Sequence, residues 1–326
     1  MDYEQFVSEY TQELQLNMEQ ENVTLQRMEV QKINEKLDGL SIRYPDSPVA
    51  PTIYLNDKFQ MMNDGYSVEE LAENTAEMLR SIRSNAPAVP ELTQEAAKKN
   101  LYLAVVNADE NAELLKQIPH ERLEDLAVIA RFKVGEEGSF IVKNEMCQHL
   151  QMTSEEILEQ AHKNTDRQEF QCTNMADVMK EIMISQGMPK EYVDELIETQ
   201  GMDCPMYVLT NESKVEGAVA IASQPAMEKA FEKVKEDHPE MEQMYVLGSS
   251  RHELLLVPDS IVNDVEELKA MHKEVQDTEL SVSDKLTEHI YKYDGLSKKL
   301  SIADTPALSE SESVVKEVVK SHAKSH

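Results

Sequence analysis

The sequence contains little glycine and cysteine, and these shortages exclude several kinds of site. Nine glycines occur among 326 residues. Neither G-x-G-x-x-G nor G-x-x-x-x-G-K-[ST] is present, so the usual phosphate-cradling loops have no support. G-x-S-x-G is absent too, which removes the common nucleophile elbow. Three cysteines are a small and odd number, which argues against a disulfide framework and favours a reducing compartment.

Basic residues and long apolar runs are also scarce. The chain has 32 Lys and Arg against 62 Asp and Glu, a formal net charge of -30. A protein that wraps a nucleic acid needs a basic surplus to displace counterions, so direct nucleic-acid binding is excluded. No run approaches the roughly 18 apolar residues of a membrane helix, and the acidic N-terminus does not resemble a signal peptide. These features predict a cytoplasmic protein that makes no membrane contact.

The acidic charge lies in residues 1–295, and the last 31 residues are nearly neutral. Residues 1–150 carry 14 basic and 27 acidic side chains, and residues 151–295 carry 13 and 31. Residues 296–326 are rich in Ser and Lys and nearly neutral, with no aromatic residue. Such a segment buries little apolar area, so we predict a disordered tail and expect the folded part to end near Tyr293.

The first part of the chain combines helical and extended patterns. Apolar residues recur at helical spacing over residues 3–14. Asp38-Gly39 is a dipeptide typical of hairpin turns. Strands are predicted at Leu40–Arg43 and Pro51–Leu55. Ser67 and Glu70 have the spacing of a capping box, which predicts that a long amphipathic helix begins there.

The second part is richer in strands. Apolar residues alternate strictly from Leu126 to Val134, the period of a strand. One hairpin is predicted to pair Met206–Leu209 with Val215–Ala222. Another pairs Met244–Leu247 with Glu253–Val257. A helix is predicted at Ser283–His289.

These elements together predict an α+β fold. Adjacent strands are joined by short turns and not by helical crossovers, which favours antiparallel hairpins packed with amphipathic helices. The proline-rich stretch 85–91 predicts a linker. We therefore expect an N-terminal α+β subdomain at 1–84, a C-terminal α+β domain at 92–295 and a disordered tail at 296–326.

Possible metal ligands do not form a recognisable pattern. Thiolate and imidazole are preferred zinc ligands, and the chain offers Cys147, His149, His162 and Cys172. Their spacing matches no strong zinc motif, so free cysteines and surface histidines are the favoured interpretation. We predict no metal site and no cofactor.

The polar segment between the predicted strands of the last hairpin is the main candidate site. Ser249, Ser250, His252 and Glu253 supply a hydroxyl, an imidazole and a carboxylate, the groups of nucleophilic catalysis. Side chains at neighbouring positions of a hairpin seldom form a catalytic triad, because the members of a triad come from separate elements. A solvated polar turn is therefore the alternative. With Asn211, which follows another predicted strand, these four are the candidate binding residues.

Several separated stretches resemble a family of uncharacterised bacterial proteins that carry a domain of unknown function, numbered fifty-six eighty-eight. The similar stretches span about residues 3–294 and include DGLSIRYPDSPVAPTIYLNDKF, HERLEDLAVIARF, MYVLTNESKVEGAVAIA and MYVLGSSRHELLLVPDS. The resemblance implies an intracellular protein of anaerobic Gram-positive bacteria, associated with mobile elements. It implies no activity.

Three functions remain open. The missing catalytic and cofactor signatures favour a non-enzymatic binding or interaction protein, and the acidic charge suits a basic protein partner. A hydrolase that uses His252 as base is the second. An acidic DNA mimic that inhibits a nucleic-acid-binding protein is the third, although acids interleaved with lysines are typical of solvated helix faces.

Overall fold

The computed structural model describes residues 1–47, 50–84, 92–135, 138–200 and 205–304, apart from the side chains of residues 198–200. It confirms the α+β class, because every strand pairing in its three sheets is antiparallel. The predicted linker at 85–91 lies outside the described residues. The division into two parts stays a prediction.

A small three-stranded sheet and three helices form the N-terminal region. The elements are α1 (Tyr3–Asn17), β1 (Thr24–Gln31), β2 (Lys36–Arg43), β3 (Thr52–Tyr54), α2 (Leu55–Asn63) and α3 (Val68–Ser84). The predicted capping box before α3 is confirmed, since the Glu70 amide donates to Ser67 Oγ and the Ser67 amide donates to Glu70 Oε2. Tyr10 and Leu14 of α1 and Leu71 of α3 lie in a core of this region's own.

The prediction of a turn at Asp38-Gly39 is wrong. Both residues lie inside β2, and the chain turns at residues 32–35, where the Lys32 amide donates to the Glu35 carbonyl over 2.9 Å. A Cβ atom on Gly39 would lie 2.6 Å from Val30 Cγ2 and 2.8 Å from Thr52 Cγ2. The glycine therefore permits close side-chain packing across the sheet and does not form a turn.

A second sheet of four strands follows. Its region comprises α4 (Gln94–Asn100), β4 (Leu101–Asn107), α5 (Ala112–Leu115), β5 (His120–Leu123), β6 (Leu126–Val134), β7 (Gly138–Ile141), α6 (Met146–Leu150) and α7 (Ser154–Thr165). The predicted strand β6 is confirmed and lies at the centre of the sheet. It pairs with β4 on one side and with β5 and then β7 on the other.

The third sheet has six strands in the order β13-β12-β10-β11-β9-β8. Its elements are β8 (Phe170–Asn174), α8 (Met175–Ser185), α9 (Lys190–Gln200), β9 (Tyr207–Asn211), α10 (Gln224–Asp237), β10 (Gln243–Leu247), β11 (Leu254–Pro258), α11 (Val265–Glu279), β12 (Ile290–Asp294) and β13 (Lys299–Ile302). The predicted β10–β11 hairpin is confirmed. The largest core lies between this sheet and the four-stranded one, with Leu103 and Phe132 from one and Leu209 and Val246 from the other.

Two predicted elements near this core are wrong. Gly217–Ala222 is a buried 3₁₀ helix and not a strand, and β9 pairs instead with β8 and β11. Small residues let this segment pack tightly inside the shared core. The predicted helix at Ser283–His289 is largely extended, because the backbone amides of Leu286 and Thr287 donate to the carbonyls of Ser249 and Gly248.

The prediction of a disordered tail from residue 296 is wrong for residues 296–304. Strand β13 pairs with β12 along its whole length, and Leu300 and Ile302 pack against the shared core. Alternating apolar residues in this short stretch outweigh its polar composition. Residues 305–326 lie outside the described residues.

Candidate functional site

The predicted site loop, residues 248–253 between β10 and β11, is packed into the protein. Ser249 is 7% exposed and Ser250 is 3% exposed. The Ser249 carbonyl accepts the amide of Leu286 over 3.2 Å, and the Arg251 amide donates to the Asp284 carbonyl over 2.9 Å. The segment after α11 therefore holds the loop along its length, and the loop is not a solvated turn.

The serine hydroxyls do not contact the imidazole. Ser250 Oγ accepts the backbone amide of His252 over 2.9 Å. Ser249 Oγ is buried and has no hydrogen-bond partner among the residues that the structure describes. Glu253 makes no hydrogen bond or ion pair within the same part of the chain. The side chains of the four candidate residues are therefore not brought together into a catalytic group.

Both ring nitrogens of His252 are engaged. Nδ1 lies 3.3 Å from the amide of Glu216 and accepts its hydrogen, so the ring proton is on Nε2. Nε2 lies 3.2 Å from Asp284 Oδ1. Burial raises the pKa of Asp284, but hydrogen bonds from Ser281 and His252, together with the nearby charge of Arg251, outweigh it and hold the pKa below its usual value. The imidazole therefore joins an ionised carboxylate to the backbone of Glu216.

Glu216 is the centre of a buried charge cluster. Its residue is 6% exposed, and its φ of 57° places it in the left-handed region. Oε1 lies 3.0 Å from Arg251 Nη1 and 3.5 Å from Arg131 Nη1. Oε2 is buried without a hydrogen-bond partner in the described chain. Arg131 and Arg251 are themselves only 15% and 12% exposed in their side chains.

This cluster borders a cleft of about 650 Å³ between the two larger sheets. One wall comes from β4, β6 and β7 and presents Tyr102, Lys133 and Ser139. The opposite wall is the segment after β9 and presents Asn211 and Glu216. Pockets of this size in proteins commonly accommodate small molecules.

Arg131 makes the wall of Tyr102, Lys133 and Ser139, called the donor wall below, a surface of hydrogen-bond donors. Its Nη2 donates to Ser139 Oγ over 2.8 Å, and its Nε donates to Tyr102 Oη over 3.2 Å. A hydroxyl oxygen that accepts from a guanidinium keeps its own hydrogen for another acceptor. The wall of β4 and β7 is therefore rich in hydrogen-bond donors.

Asn211 shapes the other wall. Its Nδ2 donates to the Val215 carbonyl over 2.8 Å, and its Oδ1 accepts from Ser213 Oγ over 3.0 Å. These bonds close the loop that leads to Glu216. Of the predicted candidates, Asn211 alone lines the cleft, while Ser250 and His252 lie behind Glu216 and support it.

The candidate zinc ligands remain separate. Over the described ranges, no group of three or more His, Cys, Asp and Glu side chains is placed to hold a metal ion. Cys147 and Cys172 are free thiols. Burial raises the pKa of Cys172 to about 12, so this thiol is protonated at neutral pH. His162 pairs with Glu121 over 2.5 Å.

Sequence reasoning missed Arg131, Glu216 and Asp284. A signal existed for the first two. Arg131 and Lys133 are charged residues in an otherwise apolar strand, and Glu216 stands directly before an apolar run that begins with Gly217. Asp284 lies in a predicted helix with no special pattern, so only the tertiary structure brings it to His252.

Comparison with known proteins identifies a family but no function. The sequence profile of DUF5688, described as a family of unknown function, matches residues 3–295. Neither a curated protein nor a solved structure matches the chain. Within the described ranges, every helix is too short or too polar to cross a lipid bilayer.

Proposed function

The chain belongs to DUF5688, a family of unknown function, and we propose from the site that it is a non-enzymatic binding protein that holds a small polar ligand in the cleft. One observation carries the proposal. Glu216 is a buried carboxylate on the wall of the cleft, and one of its oxygens has no donor among the described residues. A buried acceptor without a donor is costly, so a ligand that supplies one is bound favourably.

The support behind Glu216 favours binding over hydrolysis. A catalytic imidazole needs one nitrogen directed at the nucleophile and the other at its orienting carboxylate. In His252 the second nitrogen accepts the Glu216 amide instead of a hydroxyl. The ring therefore acts as a brace, and a braced carboxylate is typical of a preorganised binding site.

Free thiols support the proposed cytoplasmic location. Cys147 and Cys172 are unpaired, and free cysteines persist in reducing compartments. The association with bacterial mobile elements and with a basic protein partner stays a prediction.

Ligand-detected NMR with a library of small polar metabolites tests the binding proposal. Ser139→Leu places a larger apolar side chain in the cleft, and Ser8→Leu makes the same change at an exposed serine of α1 outside it. We expect at least one compound to bind the wild type and Ser8→Leu, and to lose binding to Ser139→Leu. If the wild type binds nothing, or if both variants bind equally, the proposal is wrong.

A further inference from the structure

The two walls of the cleft have opposite hydrogen-bonding character. The hydrogens of Tyr102 Oη and Ser139 Oγ have no acceptor among the residues that the structure describes, since both oxygens serve only as acceptors for Arg131. Lys133 is two residues from Arg131 along β6 and adds an exposed ammonium group to the same wall. Across the cleft, Glu216 Oε2 is an acceptor with no donor in the part of the chain that the structure describes.

The charges agree with this division. Arg131 and Arg251 share the carboxylate oxygen Glu216 Oε1, and Arg251 also pairs with Asp284 over 3.7 Å, so two carboxylates balance the two arginines. The ammonium group of Lys133 then gives the wall of Tyr102, Lys133 and Ser139 a positive charge that an anionic group would neutralise. On the other wall, a cationic N–H group would satisfy Glu216 Oε2 with a charge-assisted hydrogen bond.

The surroundings limit the size of the anion. Glu169 and Glu212 also line the cleft and are exposed, and the chain as a whole is strongly acidic. An extended polyanion would meet these carboxylates, whereas a small anion contacts only the donor wall. The volume of about 650 Å³ suits a compact ligand.

We infer that the cleft binds a small zwitterion of the amino-acid class, with its anionic group against Tyr102, Ser139 and Lys133 and its ammonium group against Glu216. This inference rests on the proposed binding function and names its ligand class.

Isothermal titration calorimetry with ω-amino acids of increasing length tests the inference. The probes are β-alanine, 4-aminobutanoate and 6-aminohexanoate, and butanoate and butylammonium are the singly charged controls. We expect one ω-amino acid to bind the wild type at least about tenfold more tightly than either control, because it makes charge-assisted bonds at both ends. The best chain length reports the separation of the two walls.

Two variants separate the ends of the ligand. Tyr102→Phe removes one hydrogen-bond donor from the donor wall and is expected to weaken binding of the tightest probe by about tenfold. Glu216→Gln is expected to reduce that probe to the affinity of butanoate. Thermal melting checks that each variant is folded, and Tyr102→Phe remains informative if Glu216→Gln is not.

The outcomes distinguish the ligand class from the function. If butanoate binds as tightly as the best ω-amino acid, or if Glu216→Gln leaves the preference unchanged, the zwitterion inference is overturned while the binding function stands. The same holds if only a metabolite of another class binds in the Ser139-dependent manner. If no compound of either set binds, both proposals are overturned.

Discussion

Glu216 depends on its neighbours at the scale of single residues. A non-glycine residue at positive φ carries about 1 kcal/mol or more of backbone strain, and here the backbone amide of that residue is bonded to His252 Nδ1. The same ring bonds to Asp284. His252 therefore holds a strained backbone and a buried carboxylate in one position.

Replacing His252 tests this brace. His252→Leu removes the acceptor for the Glu216 amide and the donor for Asp284, so we expect the free energy of unfolding to fall by about 1–3 kcal/mol. Urea denaturation measures the change. Glu253→Gln is the matched control, because Glu253 has no hydrogen bond or ion pair in the described structure, and we expect a change within about 0.5 kcal/mol. Equal losses in the two variants would contradict the brace.

The buried imidazole of His272 makes stability depend on pH. The residue is 1% exposed, and burial lowers the pKa of His272 to about 4, although Asp304 and Glu288 oppose the shift and Lys269 adds to it. The unfolded chain, with an ordinary histidine pKa near 6.5, binds more protons than the folded chain between these values. The folded state therefore loses stability as pH falls from about 6.5 to about 4.

A substitution isolates this effect. His272→Gln keeps a polar side chain without a titrating group, so the part of the pH dependence that belongs to His272, at most about 3 kcal/mol, is expected to disappear. Free energies of unfolding at several pH values between 7 and 4 give the difference between the two profiles. His149→Gln, at an exposed histidine, serves as the control. Parallel profiles for wild type and His272→Gln would refute the assignment.

At the scale of elements, apolar periodicity predicted β6 and the β10–β11 hairpin but not Gly217–Ala222. The alternating residues of β6, such as Val128, all face the shared core, and Ile129 between them packs in a smaller core on the opposite face. A run of small apolar residues such as GAVAIA has no such period, and burial in tight space decides its conformation. Glu216 on the cleft wall directly precedes this run, which is why the sequence did not reveal the wall.

Gly217 sets how closely this wall approaches its neighbours. A Cβ atom there would collide with Thr210 Oγ1 and the His252 carbonyl, and would lie 2.9 Å from the Asn211 amide. We expect Gly217→Ala to lower the free energy of unfolding by about 1–3 kcal/mol and to weaken ligand binding, because the wall must move. In Gly248→Ala the nearest contact is the flexible end of Leu286 at 3.1 Å, so the loss should be smaller. Chemical denaturation of both variants gives the comparison, and a larger loss in Gly248→Ala would be inconsistent with this view.

At the scale of the whole molecule, the large net negative charge says little about function. Many carboxylates pair with nearby lysines on the surface, as Glu159 does with Lys163 and Glu113 with Lys116, and exposed pairs of this kind contribute little. The informative charges are the few that are buried together around Glu216, which composition alone does not locate. A basic partner and the DNA-mimic hypothesis stay predictions for binding assays.

Composition also misplaced residues 296–304, which were predicted to be disordered. Residues 296–304 are polar overall, yet β13 completes the edge of the six-stranded sheet. Beyond it, the fully buried carboxylate of Asp304 bonds to Lys269 over 2.5 Å and to His289 over 3.0 Å. Partial burial of Leu300 and Ile302 together with these ion pairs should stabilise the fold by about 3 kcal/mol.

Two shortened chains test this boundary. A chain that ends at residue 304 keeps every described contact of β13, and we expect its urea midpoint and melting temperature to equal those of the full chain. A chain that ends at residue 295 loses β13 and leaves Lys269 and His289 without Asp304, so its free energy of unfolding should fall by about 3 kcal/mol. Because the two chains differ only in residues 296–304, the difference between them belongs to this segment. Equal stability of the two chains would show that residues 296–304 do not stabilise the fold, as the sequence-based prediction of an end near Tyr293 implied.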